Sequence, residues 1–478
     1  MELTSLSVKN LSNLLKKKEI SSVELTKTYL QAIENDDRQP LPLNAYISVS
    51  HDDALHCAEL ADHRIKHNDY TPLTGIPIGI KDLINVKNQP TTCASKILTG
   101  FIAADDATVV ERLVRKEGMP PLGKLNLDEF AMGSSNETSF YGAVRNPYDR
   151  ERTPGGSSGG SSAAVAGGLA PVSLGTDTGG SIRQPAAFCG CVGLKGTYGR
   201  VSRYGATAFA SSLDQIGPIA RTVEDAALLF SAMAGHDPKD STSLPMPAPK
   251  IELNQNVKGL KIGLPKDFFD AEFDAEIRNR ITDVVALLEK EGAVISEISI
   301  PDIKYAPSVY YILAPAEASA NLERFDGIRY GNRVEYETLA ETYVKSRTEG
   351  FGTEVKRRIM LGTFILSSES YDDFFVKAQK VRARLQAGYQ EALGSIDVLL
   401  GPTTPTTAFK LGEKIHDPIS MYLSDIFTLS ANLVGAPAIS VPVGLSDNRL
   451  PIGVQIMAKQ LDEQNLFNCA YAVEQFGL

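Results

Sequence analysis

The residues best suited to do chemistry are two serines set in glycine-rich runs and a lysine that closes an apolar segment. The first run is Thr153-Pro154-Gly155-Gly156-Ser157-Ser158-Gly159-Gly160-Ser161-Ser162, leading into Ala163-Ala164-Val165-Ala166-Gly167-Gly168. The second is Gly175-Thr176-Asp177-Thr178-Gly179-Gly180-Ser181-Ile182-Arg183. Two glycines ahead of Ser181 permit a tight turn in which successive backbone N–H groups converge on one spot, and an oxyanion hole can be built this way without side chains. Ser181 beside such a spot is a candidate nucleophile, and a serine nucleophile needs a base. The histidines, His51, His56, His63, His67, His236 and His416, all lie outside both runs, so nothing in the spacing supports a Ser-His-Asp triad. Lys81 follows the apolar stretch Gly75-Ile76-Pro77-Ile78-Gly79-Ile80 and is the better base. Burial strips hydration from a lysine's charged form and lowers its pKa toward neutrality.

Each feature has a plainer reading. The first run resembles a flexible linker, but linkers seldom lead straight into an Ala-rich helix and an apolar strand. It also resembles a phosphate loop, but it lacks the Gly-Lys-Ser/Thr ending, and no GxGxxG follows a strand. The second run alone reads as a Gly-Ser turn, and Lys81 alone as a strand-end lysine reaching solvent or pairing with Asp82. Two such runs together with a strand-borne lysine favour the chemical reading.

These residues need a scaffold. With 478 residues, 43% hydrophobic and 22% charged, the composition is that of a globular chain with a large core. Ser7 ahead of Leu11, Leu14 and Leu15, and the capping box Ser21-x-x-Glu24 ahead of Leu25, Tyr29 and Ile33, predict two amphipathic helices at the start. Short apolar runs at 75–80, 171–174, 260–264, 294–295, 396–400, 438–443 and 452–457 alternate with helical stretches. That alternation predicts an α/β fold whose sheet is covered by helices on both faces. The Pro-rich stretch 237–250 reads as an extended surface connection able to divide two lobes, and 304–390 as a helical layer laid against the sheet. The chain is expected to form one domain, with a chemical core at about 70–220.

Charge and cysteines limit the partners. A formal charge of −10 argues against a surface that grips nucleic acid through phosphates. Lys16-Lys17-Lys18 suits the end of a helix. Cys57, Cys93, Cys189, Cys191 and Cys469 are odd in number and lack metal-ligand spacing, so reduced, buried thiols are expected. With neither a signal-peptide pattern nor a long apolar run, a soluble cytoplasmic protein is the expectation.

The segment Gly75 to Asp82 and the two glycine-serine runs, in this order and spacing, resemble the amidase signature family. Its nucleophile lies 24 residues beyond a bridging serine, which selects Ser157 over Ser158. The resemblance implies the amidase signature fold with a central mixed sheet, and a Ser–cisSer–Lys triad. In that triad neutral Lys81 takes a proton through Ser157, Ser181 attacks an amide carbon, and the backbone N–H groups of Thr178, Gly179, Gly180 and Ser181 hold the oxyanion.

Within the family the chain is most similar to the branch of glutamine-hydrolysing A subunits of bacterial aspartyl/glutamyl-tRNA amidotransferases. The runs carrying this are 128–133, 198–205, 211–218 and 324–331. That likeness implies glutamine as substrate, with Arg358 on its α-carboxylate and Asp425 on its α-ammonium. It also implies contacts from Met132 and Gly133, and a hydrogen bond from Tyr310, with adjacent Tyr311 as the alternative. It implies a heterotrimer with a B subunit, which holds misacylated tRNA and uses ATP and magnesium, and a small C subunit; no metal or cofactor is implied for this chain. A stand-alone amidase acting on another carboxamide is the alternative. Two departures from the family pattern are Gly196 in place of a usual Pro, and Asn88-Gln89-Pro90 where a Gly is common.

Overall fold

The computed structural model describes residues 2–329 and 331–477, so Tyr330 of the 324–331 run lies outside them. The apolar runs become strands. In chain order these are β1 (Tyr46–Val49), β2 (Ile78–Lys81), β3 (Pro121–Leu125), β4 (Val172–Asp177), β5 (Val192–Lys195), β6 (Gln215–Ala220), β7 (Lys261–Pro265), β8 (Val294–Ile298), β9 (Val398–Pro402), β10 (Ala438–Leu445) and β11 (Pro451–Ala458). They join in one mixed sheet, ordered β1-β3-β2-β4-β6-β5-β10-β11-β9-β7-β8. Of these, β1, β3, β5 and β6 escape a reading by hydropathy. Each is short, and β3, β5 and β6 place Lys124, Lys195 and Gln215 within buried strands, where their polar ends find partners inside the protein.

One register positions the chemistry. β2 runs parallel to β4, with Ile78 opposite Val172 and Ile80 opposite Leu174. The next residues, Lys81 on one strand and Gly175-Thr176 on the other, therefore leave the sheet side by side at the same edge. Both strands are buried along their whole length, as a sheet covered on both faces requires. Helix Gly159–Ala166 packs on β4, Arg183–Cys189 on β10 and β11, and Val223–Met233 with Glu463–Gln475 on β5, β6, β10 and β11.

The N-terminal helices form as expected. Ser7 caps Val8–Lys16, the capping box of Ser21 and Glu24 opens Ser22–Asp37, and Lys16 occupies the last turn of the first helix. The 237–250 connection does not divide two lobes, because β10, far beyond it, pairs directly with β5. It is the extended, largely exposed connection expected, tied down near its start where buried Asp237 accepts from Thr108 Oγ1 and Ser202 Oγ, and Asp240 accepts from the N–H of Arg203.

The 304–390 region contains helices Ala306–Asn321, Leu339–Gly350, Thr353–Ile365 and Lys377–Ser395. Rather than lying flat on the strands, Ala306–Asn321 packs on Thr353–Ile365, Lys377–Ser395 and Leu429–Leu433, while Leu339–Gly350 packs against Lys96–Leu98. Ala306–Asn321 reaches the turn that carries Ser181, where Tyr310 abuts Gly179. All five cysteines are free and buried. Gly196 is explained by packing, since a Cβ there would lie 2.7 Å from the Phe230 ring. Among the described residues no helix is long and apolar enough to cross a membrane.

Gly123 in β3 crosses the backbone of β1 closely: a Cβ there would fall 2.2 Å from the Ser48 carbonyl oxygen. Main chain cannot swing aside as a side chain can, so Gly123→Ala is expected to destabilise the fold by about 2 kcal/mol or more. Thermal unfolding would read this as a lowered Tm, and an unchanged Tm would contradict it.

Candidate active site

Lys81 ends β2 with its side chain fully buried. Its Nζ lies 2.8 Å from Ser157 Oγ, 2.8 Å from Ser158 Oγ and 2.9 Å from Thr176 Oγ1. A neutral amine suits three hydroxyls, because it donates two hydrogen bonds and accepts a third. The adjacent Asp82 does not pair with Lys81; its carboxylate lies 3.0 Å from Lys124 Nζ and accepts from the N–H of Thr92. Burial pushes Lys81 down to about 7, against the opposing pull of Asp128 and Asp177.

The two candidate bridging serines are in different situations. Ser158 Oγ donates to the Thr176 carbonyl and accepts the Thr176 N–H, and the Ser158 N–H reaches the Ser181 carbonyl. Its hydroxyl is thereby committed to holding the first glycine-serine run against β4. Among the described residues, the Ser157 hydroxyl bonds Lys81 alone, which leaves it free to pass a proton. The Gly156–Ser157 peptide is cis. It is clamped from both sides, by Gln184 Oε1 accepting the Gly156 N–H and by the Asp128 N–H donating to the Ser157 carbonyl.

The turn carrying Ser181 is organised by Asp177, the last residue of β4. Its carboxylate accepts from the N–H groups of Gly180 (2.9 Å) and Ile182 (3.1 Å), from Arg183 Nη2 (3.0 Å) and from Asn432 Nδ2 (2.8 Å). Burial works against ionisation here, but Arg183 and Asn432 outweigh it and hold Asp177 down to about 2. This arrangement corrects the expectation of four convergent donors. The Gly180 N–H is taken by Asp177, whereas among the described residues those of Thr178, Gly179 and Ser181 carry no such bond. Gly180 adopts φ +130°, and a Cβ there would fall 2.1 Å from Thr428 Oγ1, so only glycine fits.

A cavity of about 480 Å³ is lined by Gly133, Ser134, Glu354, Arg358, Lys414, Met421 and Tyr422 among others. Arg358 is buried; its Nε donates to Glu354 Oε1 at 2.8 Å, and among the described residues its terminal nitrogens donate to no protein group. Burial would lower its pKa, but Glu354 more than offsets this and keeps it firmly charged. The Ser134 hydroxyl donates to Asp425 Oδ2 at 2.5 Å, while among the described residues the buried Oδ1 has no hydrogen-bond partner. Burial pushes the Asp425 carboxyl up to about 7, opposed by Ser134 and by Arg358 within electrostatic reach. Tyr310 lies against Gly179 of the nucleophile turn, whereas Tyr311 stacks on Tyr422 with ring centroids 4.1 Å apart. Gly133 reaches the cavity, but the Met132 side chain is packed in the core.

The family model for amidases matches residues 24–467. The chain belongs to the amidase family. Among amidases of known sequence, it is 54% identical to the glutamyl-tRNA(Gln) amidotransferase A subunit of Sulfurihydrogenibium sp. (strain YO3AOP1), over 100% of this chain and 98% of that protein. It is 53% identical to the protein of the same name from Geobacter sp. (strain M21), over 99% of this chain and 98% of that one. Among solved amidases, it matches the glutamyl-tRNA(Gln) amidotransferase A subunit of Thermotoga maritima with a TM-score of 0.81 at 40% identity, covering 99% and 95% of the two chains. The peptide amidase of Stenotrophomonas maltophilia also gives 0.81, at 32% identity over 99% and 97%. The amidase fold is thus shared with enzymes of different substrates, and the amidase scaffold alone does not choose among them.

Sequence reasoning passed over Thr176, Asp128, Ser134 and Glu354. Glu354 and Arg358 stand four apart on a helix, a spacing that does predict contact. The other three make contacts between distant segments that no local pattern reveals. Arg183→Met would leave the Asp177 carboxylate of this amidase buried and unpaired, at an expected cost of about 3–5 kcal/mol. Urea unfolding measures the loss, and a loss below about 1 kcal/mol would contradict the role given to this pair.

Proposed function

We propose that this chain is the glutamine-hydrolysing subunit of a tRNA-dependent amidotransferase. In this reading it supplies ammonia for the ATP-dependent conversion of misacylated Glu-tRNA(Gln), Asp-tRNA(Asn) or both. The observation that carries it is that Arg358 and Asp425 stand within electrostatic reach of each other and of Tyr310, which abuts Gly179 of the Ser181 turn. A guanidinium with unused terminal nitrogens and a carboxylate with an unpartnered buried oxygen complement the two charges of an α-amino acid. Likeness over nearly the full chain to proteins named as the A subunit of glutamyl-tRNA(Gln) amidotransferase supports the same reading.

In this reading Lys81, Ser157 and Ser181 act as a proton relay. Neutral Lys81 draws the Ser157 proton while Ser157 takes that of Ser181, and the Ser181 oxygen attacks the side-chain amide carbon. Charge that develops on the carbonyl oxygen meets the N–H groups of Thr178, Gly179 and Ser181. The proton returns through Ser157 to the departing nitrogen, ammonia leaves, and water cleaves the γ-glutamyl ester by the same relay in reverse. Tyr310, against Gly179, closes one wall of the turn. Misacylated tRNA, ATP and magnesium belong to a partner B subunit, with a small C subunit completing the assembly; this chain needs no cofactor for its own step. A surface with a net charge of −10 suits that division of labour.

Ammonia release from glutamine is the test, with the chain alone and assembled with B and C subunits, comparing wild type with Ser181→Ala. Release that requires Ser181 and rises on assembly supports the proposal. No release in either state, with hydrolysis of other carboxamides, would replace it by a stand-alone amidase.

The pH dependence has a definite sign. Only the neutral lysine accepts a proton, and Lys81 is held near 7. Initial kcat/KM should therefore rise with pH through about 7 and level off above it. A profile flat from pH 5 to 9 would contradict this base. Lys81→Ala should lower kcat by about 10²–10⁴-fold while the protein still folds.

A further inference from the structure

Glu354 lines the same cavity as Arg358, where a second carboxylate would ordinarily repel a carboxylate substrate. Its oxygens are already committed. Oε1 accepts from Arg358 Nε at 2.8 Å and from the Tyr422 hydroxyl at 2.8 Å, and Oε2 pairs with Arg357. Meanwhile the Arg358 guanidinium lies among three rings, 5.3 Å from the centroid of Tyr422, 5.6 Å from Phe209 and 5.9 Å from Tyr311. The rings restrict its tilt, and the Nε bond fixes its rotation within the plane. What remains unspent is the outer edge with the two terminal nitrogens, the edge a carboxylate meets with two parallel hydrogen bonds.

Resting on the glutamine reading of the site, we infer that Glu354 is a positioning residue for substrate recognition: it grips the Nε edge of Arg358 so that the opposite edge meets the α-carboxylate. Through Tyr422 it also ties helix Thr353–Ile365, which carries Arg358, to the segment that leads into Asp425. The carboxylate-binding and ammonium-binding groups are thereby held at a set separation. Glu354 thus tunes recognition of the α-amino acid head without touching the atoms that react.

The test is a split between KM and kcat in the assembled amidotransferase, supported by the rate at which phenylmethanesulfonyl fluoride, which has no α-carboxylate, modifies Ser181. Glu354→Ala should raise KM for glutamine by about 10-fold or more, the worth of one charge-assisted hydrogen bond, with kcat and the rate of Ser181 modification close to wild type. Glu354→Gln, whose amide oxygen still accepts from Nε, should recover part of that loss. Adding Glu354→Ala to Arg358→Lys should raise KM no further than Arg358→Lys alone. If Glu354→Ala does not fold, Tyr422→Phe carries the test, since it removes one hydroxyl that bonds Glu354 and should raise KM about 3-fold. An unchanged KM, or a fall in kcat matched by slower Ser181 modification, would overturn the inference. Failure of the wild-type assembly to hydrolyse glutamine would instead overturn the reading of the site on which it rests.

Discussion

A lysine amino group enclosed by three hydroxyls and no carboxylate is the constraint on which the rest of the site depends. An ammonium with such neighbours is poorly compensated for its lost hydration, so the neutral form is favoured and the nitrogen lone pair becomes available near neutral pH. The carboxylates that pull against this effect, Asp128 and Asp177 foremost, are committed elsewhere. Asp128 accepts from the N–H of Asn136 and the Thr138 hydroxyl, and Asp177 is held by Arg183 and Asn432. These buried contacts do more than add stability, because each occupies a carboxylate that would favour a charged Lys81. The parallel pairing of β2 and β4 brings the parts together, with Lys81, Thr176 and the committed Asp177 at one sheet edge.

The division between Ser157 and Ser158 shows how closely chemistry and scaffold share one segment. Both hydroxyls stand 2.8 Å from the same nitrogen. Ser158 is tied to Thr176 through its hydroxyl and to Ser181 through its backbone, and so fixes the distance between the two runs. Ser157 has no such ties through its hydroxyl, which suits the bridging role proposed for it. The Ser181 turn follows the same economy. Asp177 takes the Gly180 and Ile182 N–H groups to shape it, and the N–H groups proposed for the oxyanion are not among those it takes.

Much of the catalytic half was legible in the residues themselves, because the glycine-serine runs and the strand-end lysine are local patterns. Burial of Lys81 and its lowered pKa follow from those patterns and elementary electrostatics. The substrate half was not. Arg358 and Asp425 came from family resemblance alone, since an arginine on a helix and an aspartate after a short turn carry no local mark of a ligand. The two adjacent tyrosines differ in ways no sequence pattern shows, with Tyr310 on Gly179 and Tyr311 on Tyr422. Strands β3, β5 and β6 escaped notice because their buried lysines and glutamine read as surface residues until their partners are known. The supposed lobe boundary at 237–250 failed because proline content reports local extension and says nothing of long-range pairing such as that of β10 with β5.

The central claim is that Lys81 is neutral near physiological pH, and its titration can be observed directly. NMR of protein carrying ¹³C-labelled lysine side chains resolves individual amino groups through their adjacent carbon. Lys195 is also fully buried and pushed down by burial to about 7, so the Lys81 signal must be identified as the one lost in Lys81→Met. The account predicts that this signal titrates near pH 7. A midpoint above about 10, the ordinary value for a solvated lysine, would mean that the amine stays charged in the resting enzyme, and the proposed base would have to be abandoned.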